Sequence, residues 1–350
     1  MIFFSIGLPG RFSQWCDAIV ARLIESAVGP VMLAPAQSPE VVAFSLLRLT
    51  EPHLVVTSRH ASEGLRALLS EARGRVLVAL DDPRFALREL AAANGGNFRD
   101  ATQEAARSCA AAYVCAGLPD VLVIHAGRGE HDAAATVATL GGALGITLGE
   151  AAIGEILAAL PCPSTADAAD ELEAWWDSLD PGHRALGGGA LGAYVANFRD
   201  GGFYEIIWDH ALFWRHGEPS LPADEAIDIG DASRLLVNGP QIDLPPGDWQ
   251  ATITLGVSKE ATGIGFDVEI TAMAPHAVLA RGHIAPDGRG IGTATLPFSI
   301  EASYGRSIGV TIVNTGAAPG GRLALGHVTL APRSADGSDI PSELTTVLGL

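Results

Sequence analysis

The chain has 350 residues, 48% hydrophobic and 18% charged, which is material for two buried cores and excludes disorder as its general state. Its 22 Lys and Arg face 40 Asp and Glu, a formal charge of −18 that excludes nucleic acid as the expected partner, because such binding needs clustered cations. No run reaches the ~18–20 apolar residues of a membrane-spanning helix, so no membrane insertion is expected.

From residue 1 to about 160, short β-rich runs alternate with Ala/Leu-rich helical stretches. The predicted strands are Ile2–Ile6, His53–Thr57, Arg75–Leu80 and Asp120–Ile124. The predicted helices are Gln14–Ala27, Pro39–Leu49, Ser62–Leu69, Arg84–Ala93, Ala101–Ala116, Asp132–Leu144 and Gly149–Leu160. Strands separated by helices imply crossover units and a parallel sheet covered on both faces. The four cysteines, Cys16, Cys109, Cys115 and Cys162, lack paired spacing and read as free thiols in a reducing, cytoplasmic setting.

Residues 161–226 form an acidic, tryptophan-containing connecting segment. Residues 161–235 hold 14 acidic against 4 basic side chains and four of the six tryptophans: Trp175, Trp176, Trp208 and Trp214. Asp167–Trp176 reads as an amphipathic helix and Gly187-Gly188-Gly189 as a flexible bend. Residues 227–332 read as an all-β domain. Alternating runs recur at Arg234–Val237, Trp249–Val257, Gly265–Ala272, Ala277–His283, Gly292–Ile300, Ser307–Val313 and Arg322–Leu330, with Pro/Gly turns between them. Seven or eight short strands at this spacing imply an antiparallel, jelly-roll-like sandwich. Residues 333–350 read as a polar tail.

A strand followed by Gly7-Leu8-Pro9-Gly10-Arg11-Phe12-Ser13 and then a helix is a phosphate-loop arrangement, since amides at a helix start attract anions. With Asp81-Asp82-Pro83-Arg84 after a later strand, a final strand at Val121–Ile124 and a helix ending at Leu144-Gly145-Ile146, residues 1–160 resemble the P-loop sulfotransferase family. The resemblance implies an α/β parallel-sheet domain and a site for adenosine 3′-phosphate 5′-phosphosulfate, with Gly7, Pro9, Arg11, Ser13, Arg59 and Arg84 as candidates for the anion loop. The chain departs from the family at the positions that matter most. Gly10 stands where the loop carries a basic residue, and Asp81 and Glu89 stand where an arginine and a serine hold the donor's 3′-phosphate. Each charge-assisted hydrogen bond contributes about 1.5–3 kcal/mol, so putting carboxylates beside a phosphate costs tenfold to a thousandfold in affinity. The domain reads as degenerate. His53, His60 and His125 lie near strand ends but sit in no motif that makes one a catalytic base.

The run Asn238-Gly239-Pro240-Gln241-Ile242-Asp243-Leu244-Pro245-Pro246-Gly247-Asp248-Trp249 is the sharpest pattern of the second half. It resembles β-sandwich modules of bacterial polysaccharide-synthesis enzymes, with Gln241 in the place of a tyrosine, over about residues 227–331. That resemblance implies carbohydrate recognition or docking to a glycan-assembly enzyme. Sugar binding needs an aromatic face and planar polar groups, and Trp208, Asp209, His210, Trp214, Asn238 and Gln241 supply them in one neighbourhood. Trp249 begins a strand and reads as core. His210 and His216 lack a third ligand, so no metal site is expected.

Three readings follow: a non-catalytic glycan-associated binding or scaffold protein, an active sulfotransferase on a glycan or small hydroxyl acceptor, and a structural assembly subunit without ligand. The first accounts for the missing basic residues and needs no cofactor; only the second requires the phosphosulfate donor. A homo-oligomer fits any of them.

Overall fold

The computed structural model describes residues 1–72, 74–126, 132–164, 166–216, 218–223, 226–230, 232–273, 276–286, 290–301 and 307–333. The chain divides into two compact units. One comprises Met1–Phe203 with Ile242–Pro245 and Ser303–Ser307, and the other Tyr204–Gln241, Pro246–Ala302 and Ile308–Leu350.

The first unit runs β1 (Ile2–Gly7), α1 (Arg11–Ala27), β2 (Val31–Pro35), α2 (Pro39–Leu47), β3 (His53–Ser58), α3 (Glu63–Glu71), β4 (Val76–Leu80), α4 (Pro83–Ala93), α5 (Phe98–Ala116) and β5 (Val121–His125). It continues with α6 (Ala133–Ala143), α7 (Glu150–Ala159), α8 (Ala166–Ser178) and α9 (Pro181–Asp200). Its five strands pair in the order β2-β3-β1-β4-β5, all parallel, with Phe3 beside Val55 and Phe4 beside Val76. Central strands read as unbroken apolar runs because both faces are covered. Phe3, Val55, Leu77 and Ala79 meet Trp15, Ile19 and Leu23 of α1 and Val137 and Leu140 of α6 on one side. α5 lies against β1, β4 and β5, and its buried alanines, such as Ala101, Ala105 and Ala112, let it approach closely. Helices start where short polar side chains cap them: Ser62, Asp82, Asn97, Asp132 and Asp180 each accept a backbone N–H of the first turn.

Two readings of this part are corrected. β2 was not among the predicted strands, because Val31–Pro35 is short, follows Pro30 and ends in proline; it holds its place as an edge strand, paired only to β3. Gly187-Gly188-Gly189 is not a bend but the interior of α9. Gly187 is where Trp176 of α8 seats: a Cβ there would lie 2.7 Å from the Trp176 ring and 3.1 Å from Leu87. Packing thus offsets the poor helix propensity of glycine. Within residues 161–226, α8 and α9 belong to the first unit and Tyr204 opens the second. Ile242–Pro245 also belongs to the first unit, where the buried Tyr194 hydroxyl donates to the Asp243 carbonyl oxygen at 2.9 Å. Ser307 donates to the Asp243 carboxylate at 2.6 Å.

The second unit holds β6 (Ile206–Asp209), β7 (Trp214–Arg215), β8 (Glu218–Pro222), β9 (Ile227–Gly230), β10 (Leu235–Asp243, its last residues in the first unit) and β11 (Gly247–Val257). It continues with β12 (Phe266–Met273), β13 (His276–Ile284), β14 (Ile291–Ile300), β15 (Ser307–Asn314) and β16 (Ala318–Pro332). They form two sheets, β13-β12-β15-β10-β7-β8 and β14-β11-β16-β6, with β9 also on β16; the β11–β14, β11–β16 and β12–β15 pairs are antiparallel. Alternation decides which face is buried. Along β14, Ala294, Leu296, Phe298 and Ile300 are buried while Thr293, Thr295, Pro297 and Ser299 are exposed. Trp249 sits beside Phe298 and is core, as its strand position implies. The sheets meet face to face where Gly282 of one admits Leu296 of the other; a Cβ at 282 would lie 2.5 Å from that leucine. The four cysteines are free thiols, three buried and Cys162 half-buried. Among the described residues, no helix is long and apolar enough to cross a membrane.

Candidate functional site

In the parallel sheet, the chain leaves β1 toward β2 on one side and β4 toward β5 on the other, so the crossovers diverge between β1 and β4. Ligands of open α/β sheets bind beyond the carboxyl ends of the strands at such a point. A crevice lies there, lined among others by Arg11 of α1, Asp81 after β4, Arg88 and Glu89 of α4, and Ser164 and Glu171. α1 starts at it with no side chain capping its first turn. The crevice encloses about 30 Å³. That is space for a few ordered waters.

Each candidate arginine lies within ion-pair distance of a carboxylate. Arg11 Nε lies 3.7 Å from Glu89 Oε1. Arg59 forms an ion pair with Asp17 of α1. Arg84 is clamped on two sides: Nε and Nη2 reach Asp82 at 3.1 and 2.8 Å, and Nη1 and Nη2 reach Glu173 of α8 at 3.0 and 2.6 Å. Burial works against the Arg84 charge, yet the hydrogen bonds to Asp82 and Glu173 hold its pKa above the ordinary value. Its guanidinium also lies 5.7 Å from the Trp176 ring centre. In and beside the crevice, Arg11, Arg84 and Arg88 face Asp81, Asp82, Glu89, Glu171 and Glu173. Three cations against five carboxylates make a poor phosphate site. Burial pushes the Asp81 carboxyl up to about 7; the Asp82 amide, 2.8 Å from its Oδ1, opposes that rise and the Asp82 charge adds to it.

The loop itself is filled. Gly7 has no Cβ because Ser13 occupies the space: a Cβ there would lie 2.3 Å from Ser13 Oγ. The Ser13 hydroxyl, expected among the phosphate contacts, is buried against the strand end, and Leu8 is buried as well. Pro9 and Gly10 connect directly to α1 without the longer wrap of a phosphate loop. None of His53, His60 and His125 lines the crevice. His53 Nδ1 lies 3.2 Å from the Met1 amine. Burial, helped by Arg107, lowers the His60 pKa. Sequence reasoning missed Arg88, Glu171 and Glu173. Arg84 and Arg88 share one face of α4 at i, i+4 spacing, and α8 is an acidic helix without cations; together these were the available signal.

The carbohydrate candidates divide between the two sheets of the second unit. Trp208 on β6 is wholly buried, edge-on to Phe213 at 6.4 Å, and offers no face to a sugar. That reading is corrected: the alternation of β6 turns Ile206 and Trp208 inward and Ile207 outward. Asp209 is occupied with the short turn that follows it, accepting the Ala211 N–H at 2.9 Å, and His210 Nδ1 lies 3.3 Å from its carboxylate. On the other sheet, Trp214 of β7 and Asn238 of β10 are register partners, both half-buried. Gly239, at φ 128°, lets the Trp214 ring close on the backbone, since a Cβ there would lie 3.0 Å from the ring. Gln241, half-buried at φ 60°, holds a left-handed conformation uncommon outside glycine. An indole with an adjacent carboxamide is the minimum pair for a sugar ring, one stacking and the other donating and accepting. Among the described residues, no cluster of three His, Cys, Asp or Glu suits a metal ion.

No family sequence pattern and no curated protein matches the chain. Among solved structures, its N-terminal part is similar to a mouse sulfotransferase crystallised with PAP, at 13% identity and TM-score 0.37, covering 48% of this chain and 64% of that one. The chain is also similar to a carbohydrate-binding module in complex with β-1,4-galactotriose, at 12% identity and TM-score 0.24, covering 37% of this chain and 88% of the module. A further likeness is to the N-terminal cellulose-binding domain of a Cellulomonas fimi β-1,4-glucanase, at 16% identity and TM-score 0.24, covering 31% of this chain and 76% of that domain. These likenesses are coarse, with low TM-scores and partial coverage.

Proposed function

We propose that this is a non-catalytic, glycan-associated protein of bacterial polysaccharide assembly. Its α/β unit serves as a scaffold, and its sandwich, read as jelly-roll-like, binds carbohydrate or docks to a glycan-assembly enzyme. One observation carries the non-catalytic part of this reading: each arginine proposed for the donor loop lies within ion-pair distance of a carboxylate. A phosphosulfate donor would have to compete with those carboxylates for the same arginines. The carbohydrate part rests on Trp214 beside Asn238, with Gln241 on the same strand as Asn238.

Two measurements test it together. Calorimetric titration with adenosine 3′,5′-bisphosphate at low salt is expected to give no heat. Affinity electrophoresis through gels of soluble β-glucan, xylan or galactan is expected to show retardation that Trp214→Ala removes. Micromolar adenosine-bisphosphate binding that Arg11→Ala abolishes would return the sulfotransferase reading. Unretarded migration in every polysaccharide would sink sugar recognition and leave docking to an enzyme.

A further inference from the structure

Helix α2 has the composition of a buried helix and the surroundings of an exposed one. Its sequence, Pro39-Glu40-Val41-Val42-Ala43-Phe44-Ser45-Leu46-Leu47, is apolar on nearly every side, yet Val42 is its one buried residue. Val41, Phe44, Leu46 and Leu47 are 40, 50, 40 and 87% exposed. Helices apolar all round are covered in stable proteins. The neighbouring α1, by contrast, buries ten residues.

The charge pattern says what covers it. Residues 28–50 carry two charged side chains, Glu40 and Arg48, in a chain of net charge −18. Two copies of this protein repel each other over most of their surfaces, and this face is neutral. Glu40, Val41, Phe44, Leu47 and Arg48 fall within about 120° of the helix circumference, and all are exposed. Glu40 and Arg48 stand four residues either side of Phe44, at opposite ends of the helix. The Arg48 guanidinium lies over the Phe44 ring, 4.0 Å from its centre, so its charge borders the apolar patch. When two such helices pack antiparallel and cross at Phe44, each Glu40 meets the other copy's Arg48. Their helix dipoles then also oppose favourably. A surface that complements itself under a two-fold axis is what an isologous dimer requires.

We infer that the protein forms a two-fold dimer through α2, with Phe44 at the axis and two Glu40–Arg48 pairs flanking it. Sedimentation equilibrium of the full chain over roughly 1–100 μM at about 0.15 M salt tests this. Wild type is expected to dimerise and Phe44→Asp to weaken association by ~100-fold or more, since it puts a charge at the centre of the contact. Glu40→Arg sets arginine against arginine and is expected to weaken the dimer ~10-fold, and Glu40→Arg with Arg48→Glu to restore it. All three positions are exposed, so circular dichroism of each variant should match wild type. A monomer throughout the range, or a dimer indifferent to Phe44→Asp, overturns the inference and leaves the face to a different partner. Failure of the double exchange to recover the loss overturns the antiparallel register.

Discussion

The α/β unit and the sandwich unit hold their binding-type residues in opposite ways. In the first, the three arginines proposed for the anion loop each lie near a carboxylate: Arg11 by Glu89, Arg59 by Asp17, and Arg84 by Asp82 and Glu173. In the second, aromatic and amide side chains scatter over two sheets: Trp214 and Asn238 are half-buried on one, while Trp208 of the other lies in the core. Convergence of the right residue types does not make a site; it matters whether their polar and apolar surfaces have already found partners within the fold.

The comparison breaks most visibly at the tryptophans. Trp208→Ala is expected to cost ~3–5 kcal/mol in urea denaturation, as for any large core aromatic, whereas Trp214→Ala should cost under ~2 kcal/mol and act mainly on polysaccharide retardation. Equal costs would show that Trp214 is core too. Next in size is Asp17→Asn, which leaves Arg59 partly buried without its countercharge. A loss of about 3 kcal/mol is expected, and the paired change Asp17→Leu with Arg59→Met should recover most of it. If the paired change costs more than the single one, the ion pair stabilises the fold outright.

Asp81 gives a pH-dependent test. Its folded pKa of about 7 lies above the ordinary 3.8, so the unfolded chain ionises first as pH rises. Stability therefore falls between about pH 4 and pH 7, and the full penalty remains above that range. Asp81→Asn keeps an oxygen to accept the Asp82 amide and removes the buried charge. It is expected to stabilise by about 1–3 kcal/mol at pH 8, with the gain shrinking as pH falls toward 4. A gain independent of pH would refute the ionisation argument. The smallest effect belongs to Glu173→Gln. Glu173 is 58% exposed and Arg84 keeps Asp82, so a change within ~0.5 kcal/mol is expected in the same denaturation assay.

Several features were legible from the residues alone. The apolar runs of β1, β3, β4 and β5 and the alternation of β11, β12 and β14 gave the two folding grammars, because burial on both faces or on one writes itself into every second position. What stayed hidden depended on partners distant in sequence. Arg84 and Glu173 are 89 positions apart, and nothing near either one announces the other. Trp208 and Trp214 are one residue type six positions apart, and only the pairing of β6 with β16 sends the first inward. The glycines at 187–189 looked like a bend because their neighbours Trp176 and Leu87 lie on other helices.

The bond from the Tyr194 hydroxyl to the Asp243 carbonyl also orders events in time. During synthesis, the βα units of the first unit can close locally as they are made, but Tyr194 has no acceptor until Ile242–Pro245 has been made. A nascent or truncated chain ending near Phe203 thus lacks the acceptor of the Tyr194 hydroxyl, a loss of about 0.5–1.5 kcal/mol. The sandwich waits longer still: β6 finds its partner strand only after Val328 has been added. The α/β half is thus a body whose last piece arrives late, finished by a segment encoded well inside its neighbour.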